Sequence, residues 1–279
     1  MRSRVKLETK GDLMELKGKV VVVTGAGSGM GRQLALELAK RGSKVALVDF
    51  RAETLKETAD LVAGLKGVSS SHVLDVTDSA GVAKLPAAIK KALGEPDVLI
   101  NNAGIIQPFV KVNELPMKDA LHVMNVNFTG PLMLTKAFLP GLLTRPEAHI
   151  LNVSSMGAYA PVPGQSVYGA SKAAIKLFTE GLRSELLNTK VGVTVVFPGA
   201  INTNIAQNSG MATFGAGADA GSIKMSQPDA AAKLMVDAIV NNKPRLVIGS
   251  DAKMLDFLSR LNPVYAAKVI YKQMASLLK

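Results

Sequence analysis

The chain has 279 residues, of which 48% are hydrophobic and 20% are charged, so it can bury a large core and is not expected to be disordered. It contains no cysteine, which excludes disulfides, thiolate nucleophiles and cysteine-based metal centres. The net charge is +11, but the basic residues are spread along the chain without interleaved aromatic residues, so no nucleic-acid partner is expected.

The histidine spacing and the distribution of apolar residues predict a protein that binds no metal and does not span a membrane. The three histidines, His72, His122 and His149, show no spacing typical of a metal site, so no metal is predicted. The first 17 residues are charged throughout and lack the apolar stretch of a signal peptide. No run of about 18 apolar residues offers a membrane span. We therefore expect a cytoplasmic protein.

From residue 19 onward, short apolar runs alternate with helical patterns. Residues 19–24 (KVVVVT) predict a first buried strand, followed by a glycine-rich turn and a helix to about residue 41. Further strand-like runs are 44–49, 72–76, 97–101, 148–153, 191–197 and 245–248. Because helical patterns separate almost all of them, the sequence predicts a single-domain α/β fold. Its architecture is Rossmann-type and doubly wound, with a mostly parallel seven-stranded sheet and helices on both faces.

The turn after the first strand is rich in glycine. Gly25, Gly29 and Gly31 form a T-G-x-x-x-G-x-G pattern, in which Met30 stands where G-x-G-x-x-G would have its third glycine. Glycines allow a tight turn close to a pyrophosphate, and the next helix offers free N–H groups at its N-terminus. A P-loop is excluded because no Gly-Lys-Ser/Thr follows. A purely structural strand–helix turn remains the alternative.

Asp49 ends the second predicted strand. A carboxylate there can accept both ribose hydroxyls of NAD and repels the 2′-phosphate of NADP. Arg51 argues in the other direction because it can accommodate that phosphate, whereas Ser28 adds no positive charge. NAD is favoured, with NADP as the alternative. A strand-end Asp that only caps a helix fits the same position.

Tyr168 and Lys172 are four residues apart in a helical pattern, so their side chains share one helix face. A lysine ammonium near a phenol favours the phenolate, so Lys172 is expected to lower the pKa of Tyr168. Taken alone, the pair is explained equally well by a solvated helix face.

The motifs together are more specific than any one of them. TGAGSGMG (24–31), Asp49, Asp75-Val76, NNAG (101–104), Asn127, Ser155, the Tyr168/Lys172 pair and Pro198-Gly199 follow one another in order. In this order and spacing the sequence resembles the short-chain dehydrogenase/reductase family from about residue 16 to 250. Ser155 lies 13 residues before Tyr168, the family spacing, which selects it over Ser154.

The resemblance implies a role for each matched residue. Tyr168 would be the general acid/base, Ser155 would hydrogen-bond the substrate oxygen, and Lys172 would lower the Tyr pKa and bind the nicotinamide ribose. Asn127 would support a proton-relaying water. The implied cofactor contacts, besides Tyr168 and Lys172, are Gly25, Ser28, Gly29, Met30, Gly31, Asp49, Phe50, Asp75, Val76, Asn102, Ala103, Gly104, Pro198, Gly199, Ile201 and Thr203.

Three segments are predicted. Residues 1–15 form an N-terminal extension, and residues 16–250 form the Rossmann-fold catalytic domain with a substrate loop at about 200–226. Residues 251–279 form a C-terminal amphipathic helical extension interrupted at Pro263. Its mix of apolar and basic residues is typical of a helix packed on its own subunit or a partner, and also suits peripheral contact with an anionic membrane. Packing is favoured of the two.

The expected substrate pocket is largely apolar, with Ile106, Met156, Val162, Met211 and Phe214 as candidate residues. This composition favours a hydrophobic secondary alcohol or ketone, such as a steroid, a terpenoid or a long-chain alcohol. The alternative is that these residues simply pack the loop against the sheet.

The function predicted is NAD(H)-dependent oxidoreduction of an alcohol/carbonyl pair. A hydrolase is excluded because no G-x-S-x-G elbow is present. The alternative is a regulatory protein of the same fold that binds cofactor without turnover. The resemblance also implies a homodimer or homotetramer.

Overall fold

A computed structural model describes residues 13–203, 205, 209 and 225–274. Its centre is a seven-stranded parallel sheet with the strand order β3-β2-β1-β4-β5-β6-β7. The strands are β1 (Val20–Thr24), β2 (Lys44–Asp49), β3 (Val68–Val73), β4 (Val98–Asn101), β5 (Ala148–Val153), β6 (Val191–Pro198) and β7 (Arg245–Ile248). The predicted Rossmann-type single domain is confirmed.

Helices follow the strands along the chain. They are α1 (Gly29–Lys40), α2 (Ala52–Gly64), α3 (Ser79–Leu93), α4 (Met117–Met124), α5 (Gly130–Leu142), α6 (Ser166–Glu185), α7 (Pro228–Val240), α8 (Ser250–Leu261) and α9 (Pro263–Met274). A short π-helical turn, Asn125–Thr129, joins α4 to α5. Among the described residues, no helix is long and apolar enough to cross a membrane.

The sheet divides the core into two layers because successive side chains of a strand point to opposite faces. In β1, Val21 and Val23 pack with helices α1, α2 and α7. Val20 and Val22 pack on the other face with α3, α5 and α6. Every residue of β1 is buried, which is why a wholly apolar, β-branched run forms this strand.

The third strand differs from its prediction. The apolar residues of 72–76 predicted a strand there, but the strand is Val68–Val73, paired with β2 from Lys44 to Asp49. It is an edge strand with partly exposed faces, so the polar run Ser69–His72 meets no burial penalty there. The apolar Val76, which misled the prediction, is buried beyond the strand end.

Both terminal segments pack on the domain in their described parts. Met14 is buried and its N–H donates to the carbonyl of Val240, so core packing begins before the predicted boundary at residue 16. The C-terminal segment forms two helices, α8 and α9, of which α9 begins at Pro263. Their inner faces bury Leu255 and Ile270.

Candidate active site

A cleft of about 450 Å³ opens at the carboxyl ends of the strands. It lies where the strand order reverses between β1 and β4, the position at which open α/β sheets hold ligands. Most of the predicted cofactor contacts line it together: Gly25, Ser28, Gly29, Met30, Gly31, Asp49, Phe50, Asp75, Val76, Asn102, Ala103, Gly104 and Thr203.

The N-terminus of α1 faces this cleft without a side-chain cap. The cap residue, Ser28, has extended backbone and makes no capping hydrogen bond, and the first turn has no acidic residue. Gly25 and Gly29 have φ angles of 67° and 52°, which favour glycine. The first N–H groups and the positive end of the helix dipole are therefore available to an anion such as a pyrophosphate.

Gly31 is required by a close approach of two backbone segments. A Cβ at this position would overlap the carbonyl group of Gly25. We therefore expect Gly31→Ala to lower the free energy of unfolding by about 3 kcal/mol, because backbone atoms have no room to yield.

Gly181 in α6 is the matched control for this change because an added Cβ there meets nothing within 4 Å. Gly181→Ala should be neutral or stabilising, by up to about 1 kcal/mol. Urea denaturation of both variants measures the difference. Equal stabilities would contradict the close packing of the glycine loop.

The carboxylate of Asp49 is held by backbone groups on both sides. One oxygen accepts the N–H of Gly27 at 2.9 Å, and the other accepts the N–H of Arg51 at 3.1 Å. The guanidinium of Arg51 lies 3.4 Å from the hydroxyl of Ser28 and 5.2 Å from the centre of the Phe50 ring. A negative and a positive charge therefore meet at the same corner of the cleft.

The floor of the cleft is fixed by Thr24 and Asn102. The hydroxyl of Thr24 accepts the N–H groups of Asn102 and Ala103, each at 3.0 Å, while the Asn102 amide donates to the Thr24 carbonyl at 2.9 Å. Nearby, Asp75 accepts both the N–H and the hydroxyl of Thr77. These bonds set the backbone path along which the cleft runs.

The four predicted catalytic residues converge beside this cleft. Ser155 lies next to Tyr168, since a Cβ added on Gly157 would come within 3.5 Å of both the Ser155 hydroxyl and the Tyr168 ring. The ammonium of Lys172 lies 5.9 Å from the centre of the Tyr168 ring and donates to the carbonyl of Val153 at 3.1 Å. Ser154, the neighbour of Ser155, is buried and donates to the Lys172 carbonyl at 2.7 Å, so it does not compete for this position.

The electrostatics of the pair differ from expectation. Burial raises the pKa of the Tyr168 phenol, and the neighbouring Ser155 hydroxyl opposes that shift only in part. Burial also lowers the pKa of Lys172 to about 8. The predicted lowering of the Tyr168 pKa by Lys172 is therefore not what the structure shows, because desolvation acts on both groups and exceeds their interaction across 5.9 Å.

The lowered pKa of Lys172 has a measurable effect on stability. Between pH of about 8 and 10.5 the folded chain binds fewer protons at this site than the unfolded chain does, so stability increases with pH in this window. Relative to Lys172→Met, the native chain should gain roughly 3 kcal/mol of unfolding free energy across it. Urea denaturation of both proteins at several pH values measures this difference. A difference that stays constant would contradict the burial of a titrating amine.

Asn127 lies in the π-helical turn between α4 and α5, a feature often found at functional sites. Its amide accepts the N–H of Ile105 and donates to the Ile105 carbonyl, both at 2.9 Å, and it also donates to the hydroxyl of Ser171. A Cβ on Gly104 would lie 3.1 Å from both the Asn127 amide oxygen and the Lys172 ammonium. Glycine at 104 therefore keeps this side of the cleft open.

The segment after β6 is held by β7 and α8. Gly199 donates its N–H to the carbonyl of Ile248, and Ala200 donates its N–H to the carboxylate of Asp251 at 2.8 Å. Ile201 pairs with Ser226 as an isolated parallel bridge. The predicted cofactor contacts at Pro198, Gly199 and Ile201 thus lie on a backbone that β7 and α8 hold in place.

Two further contributors escaped the sequence analysis. Gln107 is fully buried, accepts the N–H of Tyr168 at 2.8 Å and donates to the Gly164 carbonyl at 2.8 Å. It joins the segment after β4 to the start of α6. Asp251, described above, is the second. Neither residue belongs to a local motif, because each acts across more than 50 residues of chain.

Only one of the predicted substrate residues in the described part of the chain lines the cleft. Ile106 lines the cleft, where His122 and Asp119 add polar groups that the apolar prediction left out. Met156 and Val162 pack instead against the buried cluster formed with α8 and α9. Met211 and Phe214 lie outside the described residues.

A model of the short chain dehydrogenase family matches residues 19–212 of this sequence. The chain belongs to the short-chain dehydrogenase family. Among curated proteins, "Putative oxidoreductase SadH" of Mycobacterium tuberculosis is 37% identical to this chain over 257 residues. The match covers 89% of this chain and 92% of that protein.

Solved structures of relatives contain either cofactor. A short chain dehydrogenase/reductase from Burkholderia phymatum in complex with NAD has a TM-score of 0.80 and 28% identity, over 90% of this chain and 98% of that one. A metagenomic short-chain oxidoreductase in complex with NADP has a TM-score of 0.70 and 26% identity, over 84% and 97%. This family member is therefore an oxidoreductase, consistent with NAD(P)-dependent chemistry. Because relatives bind NAD or NADP, the preference between the two must be inferred from the residues of this chain.

The residues present in this dehydrogenase fit a dinucleotide. The uncapped N-terminus of α1 matches a pyrophosphate, and the Asp49 carboxylate stands at the end of β2, where a ribose is held in such folds. A Cβ on Gly27 would lie 2.9 Å from that carboxylate and 2.5 Å from the Thr54 hydroxyl, so glycine allows the carboxylate to approach the loop this closely. Within the described residues, no group of three His, Asp or Glu side chains could hold a metal.

Proposed function

We propose that this short-chain dehydrogenase uses NAD(H) to interconvert a hydrophobic secondary alcohol and its ketone, with Tyr168 as general acid/base. The observation that carries the proposal is the convergence of Ser155, Tyr168 and Lys172 beside a cleft built for a dinucleotide. When bound, the nicotinamide supplies or accepts the hydride. The residues of the chain supply the position and the proton.

Tyr168 exchanges a proton with the substrate oxygen. In alcohol oxidation the phenolate takes the hydroxyl proton, and in ketone reduction the phenol gives it back. The Ser155 hydroxyl lies next to the Tyr168 ring, so it can hold the substrate oxygen beside the phenol. Because burial raises the pKa of Tyr168, the phenol form is favoured at neutral pH and oxidation should accelerate as the pH rises.

We propose that Lys172 takes part in moving this proton between Tyr168 and solvent. With a pKa lowered to about 8, its amine can gain or lose a proton close to physiological pH. Asn127 fixes the backbone of Ile105 from both sides and so positions the wall next to the Lys172 ammonium. These contacts support the relay that the family resemblance assigns to Asn127 and Lys172.

NAD is the cofactor proposed, because the Asp49 carboxylate is held at the cleft by two backbone N–H groups and cannot easily turn away. A 2′-phosphate in the same place would meet this negative charge. The positive charge of Arg51 weakens the preference for NAD over NADP, but the Asp49 carboxylate still opposes a 2′-phosphate.

A hydrophobic substrate is proposed from the apolar share of the cleft. Ile105, Ile106 and Val126 line the end of the cleft near the catalytic residues. The polar side chains of Asp119 and His122 also line the cleft, so the substrate can carry a polar group in addition to its apolar part.

The test is reduced-nicotinamide absorbance with NAD or NADP across matched hydrophobic and small polar alcohols. NAD-dependent turnover that favours hydrophobic secondary alcohols supports the proposal. Faster turnover of small polar alcohols would contradict the substrate class. NAD binding without turnover of any alcohol or ketone would favour the regulatory alternative.

A further inference from the structure

The outer faces of α8 and α9 carry a band of exposed apolar side chains. On α8, Met254, Phe257 and Leu261 recur at intervals of three and four residues, so they share one face. On α9, Val264 and Tyr271 are seven residues apart, which is two helical turns, and Tyr265 lies next to Val264. We call these six residues the tail patch. Phe257 is 62% exposed, Leu261 68% and Val264 66%. The two stripes meet at the exposed turn between Leu261 and Val264.

The charge around the tail patch has one sign. From Phe257 to Lys279 the sequence contains no Asp or Glu but has the basic residues Arg260, Lys268, Lys272 and Lys279. Lys253, Lys268 and Lys272 are exposed among the apolar side chains of the two helices.

The acidic residues of α8 are engaged elsewhere. Asp251 accepts the N–H of Ala200, and Asp256 pairs with Arg245 at 2.8 Å and with Arg260 at 3.0 Å. Asp256 therefore offsets part of the charge of Arg260 but does not reach the three exposed lysines. The surface presented by the two helices is apolar and cationic.

We propose that α8 and α9 dock on an anionic lipid surface, with the tail patch in the headgroup region and Lys253, Lys268 and Lys272 against the lipid charges. Helices with this division of faces lie in the interface plane of a bilayer. Tyrosine side chains, here Tyr265 and Tyr271, are typical of that region. Each exposed lysine near such a surface adds attraction to anionic lipid.

A second copy of the chain fits this face less well. A two-fold interface brings a surface patch against itself, so the lysines of one copy would approach those of the other. The described part of this face offers no exposed carboxylate to separate them, since Asp256 is only 17% exposed and already paired. An anionic bilayer meets both the apolar and the cationic part of the surface.

Docking would also orient the enzyme. The inner side of α8 is bonded to the active-site region through Ala252, whose carbonyl accepts the Tyr159 hydroxyl at 3.0 Å, and through Asp251. Pro161 and Pro163 border a groove along α9. The segment that follows Ser155 would therefore lie next to the lipid surface.

The experiment is flotation of the full-length protein with two kinds of vesicle, phosphatidylcholine alone and an equal mixture with phosphatidylglycerol. Three variants are compared with the native chain. The charge variant is Lys253→Gln/Lys268→Gln/Lys272→Gln, and the apolar variant is Phe257→Ser/Tyr265→Ser. The matched control is Lys84→Gln/Lys118→Gln/Lys136→Gln, which removes three exposed lysines from α3, α4 and α5. Thermal unfolding should be unchanged throughout, because every substituted side chain is exposed.

The native chain should bind the mixed vesicles, and added salt should weaken the binding. The charge variant should lose about 100-fold in partition coefficient, since each cation contributes roughly fivefold. The apolar variant should lose about tenfold or more, and the matched control should stay within about threefold of the native chain because its lysines lie away from the docking face. Absent binding, equal binding to phosphatidylcholine alone, or equal losses in the charge variant and the matched control would overturn the proposal. An apolar variant that changes the oligomeric state by light scattering, with lipid binding unaltered, would assign the tail patch to a second copy.

Discussion

Tyr168→Phe should lower kcat by roughly 100- to 10,000-fold, because it removes the hydroxyl that we propose exchanges a proton with the substrate oxygen. Tyr168 lies in the first turn of α6, and the phenylalanine ring keeps the packing of that turn. NAD affinity should change little, since the cleft around the glycine loop and Asp49 is untouched. The measurement is steady-state turnover together with NAD binding by fluorescence or calorimetry.

Tyr159→Phe is the matched control for this prediction. Tyr159 lies in the turn after Ser155 and its hydroxyl donates to the carbonyl of Ala252 at 3.0 Å. Removing that hydroxyl should cost about 1 kcal/mol of stability while kcat changes by less than about threefold. If both variants lost activity equally, Tyr168 would act only through packing and the proposed acid/base role would be wrong.

Asp49→Asn should weaken NAD binding and improve NADP binding, so that the preference for NAD over NADP falls by about 100-fold. The change keeps the shape and one acceptor oxygen for Gly27 or Arg51, but removes the charge that opposes a 2′-phosphate. Arg51→Gln in the same background should reverse the gain for NADP, because it removes the guanidinium that lies beside Ser28 at this corner. Dissociation constants for the two cofactors measure both effects.

Asp75→Asn is the control for cofactor choice. Asp75 lines the same cleft, but its carboxylate accepts hydrogen bonds from Thr77. Its loss should change the binding of both cofactors alike and leave their ratio unchanged. A shift in the ratio as large as that of Asp49→Asn would mean that net charge in the cleft, rather than the position of Asp49, sets the preference.

Local patterns were enough to predict much of the fold. The run 19–24 and the glycine turn after it predicted β1 and the start of α1. Both signals, a short apolar β-branched run and closely spaced glycines, are contained within a few consecutive residues. β3 was misplaced for the opposite reason. As an edge strand it is held by backbone pairing with β2, which leaves little apolar signal in its side chains.

The candidate site was predictable where one helix or turn brings its residues together. Tyr168 and Lys172 share a face of α6, and the family spacing selected Ser155 from two adjacent serines. Gln107 and Asp251 were not predictable, because their partners Tyr168 and Ala200 are distant in the chain. The same limit applied to the pKa of Tyr168, whose direction is set by burial that no local motif reports.

The substrate side was the least predictable part. Apolar residues near the site in sequence were assigned to a pocket, yet Met156 and Val162 pack towards α8 and α9. Apolar character alone does not distinguish a pocket wall from a packing contact, because both bury the same side chains. Only the placement of the C-terminal helices separated the two.

The central claim is hydride transfer from a secondary alcohol to NAD at the site of Ser155, Tyr168 and Lys172. Its most direct measurement uses a hydrophobic secondary alcohol carrying deuterium on the carbinol carbon, incubated with the native enzyme and NAD, with mass spectrometry of the reduced cofactor. We predict that the deuterium appears in the reduced nicotinamide, and that Tyr168→Phe nearly abolishes this transfer while still binding NAD. Ketone formed with the deuterium released to solvent, or transfer that is undiminished in Tyr168→Phe, would contradict the account.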